Sequence, residues 1–139
     1  MNIDSITRGV VIDHITAGRG MEIVRLLELD KLTCTVAVIR NARSNKSQKK
    51  DIIKIEDEID LNFDALGFID PDVTVNVIVD SRIVEKKKIQ LPDRVVNVAR
   101  CKNPRCITTV EKELPHVFHR VAGTELYRCT YCEQEYERR

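Results

Sequence analysis

Apolar positions along the first ninety residues recur in two periods, and the switches between them mark the elements. TRGVVIDHI (7–15) is rich in β-branched residues and ends in the turn-prone TAGRG, which predicts a strand. Met21, Val24 and Leu27, with Ile23 and Leu26 beside them, recur at helical spacing as far as Leu29 and predict a short amphipathic helix. TCTVAVI (33–39) predicts a second strand, and the polar, basic RNARSNKSQKK after it an exposed and mobile connection. DIIKIE (51–56) reads as a third strand and LNFDALGFI (61–69) as a short helix closed near Gly67. VTVNVIVD (73–80) and RIVEKKKI (82–89) add two strands. The order β-α-β-β-α-β with one extra strand is that of a ferredoxin-like α+β sandwich. Helices cover one face of such a sheet, and the other stays free for a partner sheet or a ligand.

Pro92 and Asp93 mark a boundary, giving domains 1–92 and 93–139. The apolar Val95, Val96 and Val98 make the segment just beyond it a packed junction and no loose linker. Within the second domain, HVFHRV (116–121) and ELYRC (125–129) predict strands lying between two cysteine pairs. The pairs are Cys101 and Cys106, spaced C-x4-C, and Cys129 and Cys132, spaced C-x2-C, with 22 residues between them. Two close pairs of thiolates suit a tetrahedral Zn²⁺ site, and a four-thiolate set leaves no position open for water, so such a zinc is structural. About 40 residues rarely form a sufficient core without a metal, disulfides or a partner. Redox chemistry at Cys129 and Cys132 is the functional rival, but that motif opens a helix after a strand and has no second pair. Two disulfides are the other rival, and the compact two-pair ribbon admits zinc or a rubredoxin-type iron. His116 and His119 are read as surface or sheet residues, and Cys34 as a small hydrophobe buried in its strand. The whole is an α+β protein: a ferredoxin-like sandwich followed by a small all-β, rubredoxin-like zinc ribbon.

Composition narrows the function. With 42% hydrophobic and 32% charged residues the chain is globular, and no apolar run reaches the roughly 18 residues of a membrane span. MNIDSITRGVV carries no basic stretch followed by an apolar core, so no signal peptide is read and a cytoplasmic location with reduced thiols is expected. A net charge of +1 and 4% aromatic residues argue against nucleic acid as a partner. A zinc-ribbon nucleic-acid-binding module is nevertheless the alternative reading, supported by the basic run Arg40–Lys50. Neither a glycine-rich phosphate loop nor a nucleophile motif is present, so the reading is not an enzyme but a binding or regulatory module. Asp13 and His14 are a polar pair at a strand end, solvent-facing or ligand-binding. Lys54 interrupts an isoleucine run as a snorkelling edge residue or a ligand group. Lys86, Lys87 and Lys88 read as a solvated strand edge. Together these groups would suit a phosphorylated, hydroxyl-bearing ligand.

The phrases RGVVIDHI, KKDIIKIE, TVNVIV, LPDRVVNV and C-x4-C…CTYCE, in this order, resemble the regulatory chain of aspartate carbamoyltransferase from Ile3 to about Tyr136. That resemblance implies a non-catalytic subunit of pyrimidine biosynthesis that binds ATP, CTP and UTP at one site, carries one structural zinc per chain, dimerises, and docks on catalytic chains. It implies that Asp13 binds ribose, His14 phosphates, Lys54 ribose and base, and Lys86 ribose and phosphate, with Asn76 near the phosphates. The resemblance places Val11 in the same nucleotide site. Ile3, Asp4 and Ile6, with Ile78, Ser81 and Ile83, would frame the base. Ser81 stands where the best-known members carry an aromatic residue. Asn103, Tyr131 and Glu133 match positions that contact the catalytic chain.

Overall fold

The computed structural model describes residues 6–43 and 48–136; Ile3 and Asp4 lie outside them, as does the centre of the basic connection. The chain divides into two compact units, Met1–Gln90 and Leu91–Arg139. In the first, β1 (Gly9–Thr16), α1 (Gly20–Leu26), β2 (Val36–Arg43), β3 (Lys49–Ile55), α2 (Phe63–Ile69), β4 (Thr74–Val79) and β5 (Arg82–Lys88) follow in order. The strands form one sheet in the order β2-β3-β1-β4-β5, every pair antiparallel. This is the ferredoxin-like arrangement with β5 added at an edge. Alternate residues of the central strands bury one face: Val10, Ile12 and Ile15 of β1, Ile53 and Ile55 of β3, and Val75 of β4 pack with Ile23 and Val24 of α1 and Leu66 and Ile69 of α2. Each such side chain contributes about 1.5–3 kcal/mol on full burial, so this layer holds the sandwich together.

Several elements differ from expectation. The connection after Ile39 is largely strand at its two ends: β2 continues to Arg43, and β3 begins at Lys49. Pairing with β3 satisfies the backbone there, and the polar side chains are tolerated because β2 is an edge. The first helix ends at Leu26, since Glu28 takes a left-handed φ of 54° and Leu29–Lys31 forms a 3-10 turn that still buries Leu29. Gly67 does not close the second helix; it lies inside α2, where a Cβ would collide with the backbone carbonyl of Gln90. Cys34 precedes β2 and is half-buried, packed against the core from its margin.

The second unit is a three-stranded antiparallel sheet, β6 (Arg94–Val96), β7 (Val117–Arg120) and β8 (Tyr127–Cys129), in that order. Val95, Phe118 and Cys129 oppose one another across it and are buried, and Tyr127 is buried beside them with its hydroxyl donating to the Pro92 carbonyl. Tyr136 meets the Phe118 ring edge-on at 5.2 Å. Of the three junction valines only Val95 is deeply buried; Val96 is 47% exposed and Val98 half-buried, because alternation along β6 turns Val96 to the opposite side. Among the described residues the unit also contains one helical turn, α3 (Ile107–Val110), built from ITTV against its β-branched preference. The Cys106 carbonyl holds that turn by accepting the N–H of Thr109 (3.0 Å) and its hydroxyl.

A buried carboxylate organises the first unit. Asp51 is 0% exposed; its Oδ2 accepts the N–H groups of Gly18 (3.1 Å) and Gly20 (3.0 Å), and its Oδ1 that of Asn41 (3.0 Å). A Cβ on Gly20 would lie 2.8 Å from the same oxygen, so the close approach requires glycine. Asp70, also fully buried, accepts Thr16 N–H (2.7 Å) and Asp72 N–H (3.2 Å). Asp51→Asn replaces one acceptor oxygen by an amide N–H2 that faces backbone donors. We expect it to destabilise the N-terminal unit by about 1–3 kcal/mol, read as a lower urea midpoint; an unchanged midpoint would show that the three bonds do not hold the β1–α1 loop.

Candidate functional site

Directly opposed residues of an antiparallel pair project to the same face, so strand register decides which side chains gather on the face opposite the helices. One row across the sheet reads Ala37, Lys54, Val11, Asn76, Lys86. The adjoining row carries Asp13, Thr74 and Lys88, and on the other side lie Gly9, Ile78 and Ile83. Lys54 is half-buried on β3, an interior strand, so the edge reading of that lysine is corrected. Ile78 is 7% exposed yet stands apart from the helix-side core, as its row requires. The lysine run is divided by the pleat. Lys86 and Lys88 oppose Asn76 and Thr74, whereas Lys87 opposes Val75 and sets its ammonium 4.8 Å over the Phe63 ring of α2.

A β-bulge between Ile12 and Ile15 brings Asp13 and His14 to this face together, with His14 in the left-handed region at φ 59°. His14 Nδ1 lies 3.0 Å from Thr74 Oγ1, and the ring is exposed. Asp13 is half-buried and paired with Lys50 Nζ at 3.0 Å. Burial would raise its pKa, but the hydrogen bond and charge of Lys50 and the N–H of His14 together hold it below the usual carboxylate value. Asn76 is 7% exposed, and its Oδ1 has no hydrogen-bond partner. A buried, unpaired amide oxygen in the same row as Lys54 and Lys86 leaves an acceptor without a partner between cations on a polar sheet face. Ser81 lies beyond the face, in the two-residue turn between β4 and β5, where both Asp80 (φ 51°) and Ser81 (φ 64°) are left-handed. Its N–H donates to the Thr7 carbonyl at 2.8 Å, next to the half-buried Ile6. Sequence reading passed over Lys50 and Thr74 and did not separate Lys88 from its neighbours; only the register brings the three here.

The second unit joins its cysteines. The four sulfurs of Cys101, Cys106, Cys129 and Cys132 lie within 4.8 Å of one another, all as free thiols. Cys101 and Cys132 approach to 3.6 Å, Cys106 and Cys129 to 3.8 Å. The edge of a tetrahedron with metal–sulfur bonds of about 2.3 Å is about 3.8 Å, so the arrangement fits a tetrahedral thiolate-bound ion. Burial pushes the Cys101 thiol up to about 12 and raises Cys129 as well. Cys132 is drawn down to about 7: burial opposes the change, but the Asn103 side chain and the Gln134 N–H hydrogen-bond its sulfur. Thr108 Oγ1 donates to Cys106 Sγ at 3.1 Å. His116 is no member of the cluster; its Nδ1 accepts the Cys101 N–H at 3.2 Å and so steadies a ligand's backbone. His119 Nδ1 sits 3.3 Å from Thr130 Oγ1. Of the expected partner-contact residues, Tyr131 and Glu133 are exposed, Glu133 at φ 62° in the cysteine turn, and Asn103 is half-buried.

No helix among the described residues is long and apolar enough to cross a membrane. Comparison with known proteins matches residues 1–90 to the family model for the aspartate carbamoyltransferase regulatory chain, allosteric domain. Residues 93–139 match the metal binding domain of the same chain. The aspartate carbamoyltransferase regulatory chain of Clostridium tetani is 48% identical over 99% of this chain and 96% of its own length. That of Clostridium acetobutylicum is 46% identical over 99% and 94%, and that of Bifidobacterium longum 43% over 97% and 98%. With an open basic sheet face in one unit, a four-cysteine cluster in the other, and full-length similarity to these relatives, the chain belongs to the family of aspartate carbamoyltransferase regulatory chains, a regulatory and not a catalytic subunit.

Proposed function

We propose that residues 1–92 form a nucleotide-binding allosteric domain that takes ATP, CTP or UTP on the open sheet face. Residues 93–139 then form a zinc domain that docks on the catalytic chain of aspartate carbamoyltransferase, so that nucleotide levels adjust pyrimidine biosynthesis in the cytoplasm. The observation that carries the reading is the row of Lys54, Val11, Asn76 and Lys86, with the unpaired Asn76 oxygen buried within it. A nucleotide satisfies this surface in parts. Its hydroxyls donate to Asp13, its phosphates accept from His14 and Lys86, and Lys54 reaches ribose and base. Ile78 and Ile83 offer an apolar wall to the base. Ile3, Asp4, Ile6 and Ser81 complete its frame, partly through backbone groups that can pair with a base's polar edge. Chains pair as regulatory dimers, each linking two catalytic chains.

In the zinc domain Cys101, Cys106, Cys129 and Cys132 would hold one ion per chain. The ion supplies a structural cross-link without redox chemistry of its own. Protein groups do the rest: Asn103, Thr108 and His116 orient the ligand turns, and Tyr131 and Glu133 stand exposed for the catalytic chain.

Three outcomes follow from this reading. Cys106→Ala, or chelation, should release about one zinc per chain and unfold the region beyond about residue 100 while the first unit keeps its sheet, as seen by metal analysis and residue-resolved hydrogen exchange; retention of zinc by the variant would remove Cys106 from the ligand set. Lys86→Ala should weaken ATP and CTP together by roughly 10–150-fold in calorimetry, the range of one charged hydrogen bond, and equal affinities before and after would mean the nucleotide lies elsewhere. For pH, the Asp13 carboxylate is lowered in the folded state. Its stabilisation is therefore complete above the unfolded pKa of about 3.9 and disappears as pH falls through the lower folded value. Acid unfolding of Asp13→Asn should lack that part of the pH dependence, and curves that run parallel down to acid pH would show the Lys50 pair to be energetically silent.

A further inference from the structure

Each unit grips its own end of the segment that joins them, and the division falls between Gln90 and Leu91. In the first unit Ile89 packs against the core, and the Gln90 carbonyl lies so close to Gly67 that a Cβ there would strike it. In the second, the hydroxyl of the buried Tyr127 donates to the Pro92 carbonyl. Arg120 holds the next residue twice: its N–H donates to the Asp93 carbonyl at 2.8 Å, and its guanidinium to Asp93 Oδ1 at 3.0 Å. An isolated surface ion pair contributes little. The Arg120 side chain, however, is only 28% exposed and donates also to the Thr124 carbonyl at 3.2 Å, so its guanidinium is fixed from two sides.

Leu91 lies between these anchors, and its freedom is narrow. The Pro92 ring fixes its own φ, and the clash with that ring keeps the preceding residue in the extended region. A connection transmits only the rotations that it does not itself absorb. Resting on the regulatory reading proposed above, we propose that Arg120 and Tyr127 are positioning residues for regulation. By clamping Pro92 and Asp93 they reduce the connection to a stiff joint at Leu91, so that a change in the first unit turns the second instead of being lost in a slack linker. Neither residue touches nucleotide in this role, and neither ligates the metal.

The test uses the full, metal-loaded chain assembled with catalytic chains. It compares the parent with Tyr127→Phe, Asp93→Ala and an insertion of one glycine between Leu91 and Pro92. Tyr127→Phe keeps the buried ring and removes only the hydroxyl bond, and the Asp93 side chain is 91% exposed, so both substitutions leave the core of the unit in place. Hydrogen exchange of the Arg120 N–H should quicken roughly 2–12-fold in both, the range of one hydrogen bond. Zinc content, assembly by sedimentation, and ATP and CTP affinity by calorimetry should stay within about twofold of the parent, while the nucleotide-induced shift of the partner's substrate curve falls below about half. The glycine insertion should lower that shift most. A full nucleotide response in all three variants would overturn the stiff joint and leave the nucleotide reading standing. Unchanged Arg120 exchange would show that the clamp does not hold the segment, and would overturn it too. Loss of zinc or of assembly in Tyr127→Phe would make these residues supports of the metal-binding fold and overturn the positioning role. A parent chain that binds neither nucleotide, or whose partner ignores both, would overturn the regulatory reading itself.

Discussion

The Asp51 carboxylate, buried to 0% exposure under three backbone N–H groups, is the interaction on which the first unit depends. A carboxylate can be kept in an apolar layer only when donors replace its lost water, and these donors come from two separate segments. Gly18 and Gly20 belong to the turn that launches α1, and Asn41 belongs to β2. One side chain on β3 thus fixes where the first helix begins and how the edge strand lies. The irregular positions cluster around it. β1 bulges between Ile12 and Ile15, β2 between Ile39 and Ala42, and Asn41 at the second bulge takes φ 58°.

Those bulges connect the buried layer to the exposed one. Strict alternation along β1 would send Asp13 and His14 to opposite sides. The bulge spends one extra residue, so both stand at the open face while Ile15 returns to the core. The gathering of Asp13 and His14 on the open face is therefore a consequence of how the core side is tied down. His14 at φ 59° and Asp13 held by Lys50 store a preformed arrangement whose strain the surrounding sheet supports.

The second unit obeys a different constraint. Its buried residues are few, and Cys106 and Cys129 are among them, with Cys101 and Cys132 half-buried beside them. Without a cation, burial disfavours the thiolates, as the raised Cys101 and Cys129 show. A metal ion held by the four thiolates would offset that cost and would cross-link the turn at Cys101–Cys106 to the one at Cys129–Cys132. The helical turn Ile107–Val110 is held by the Cys106 carbonyl at its start and not by its own helical preference.

Much of the molecule is legible in the chain alone. Period-two runs at 7–15, 51–56 and 73–80 and the apolar helix faces determined the ferredoxin-like order, because burying one face of a sheet imposes a pattern no other fold shares so simply. Cysteine spacing determined the metal-binding constellation, since ligand chemistry is local to residue type. The lengths of β2 and β3 were not legible: polar residues of the hairpin arms are held by ladder hydrogen bonds, which carry no side-chain signature. Nor was Gly67 legible as a helix interior, because its cause is the distant backbone of Gln90. The composition of the open face was decided by tertiary structure in the same way. Lys50, Thr74 and Lys88 are unremarkable along the chain, and Lys86, Lys87 and Lys88 are indistinguishable there. Pleat and register, which depend on pairing between strands far apart in sequence, send two of those lysines to the open face and one to the helices.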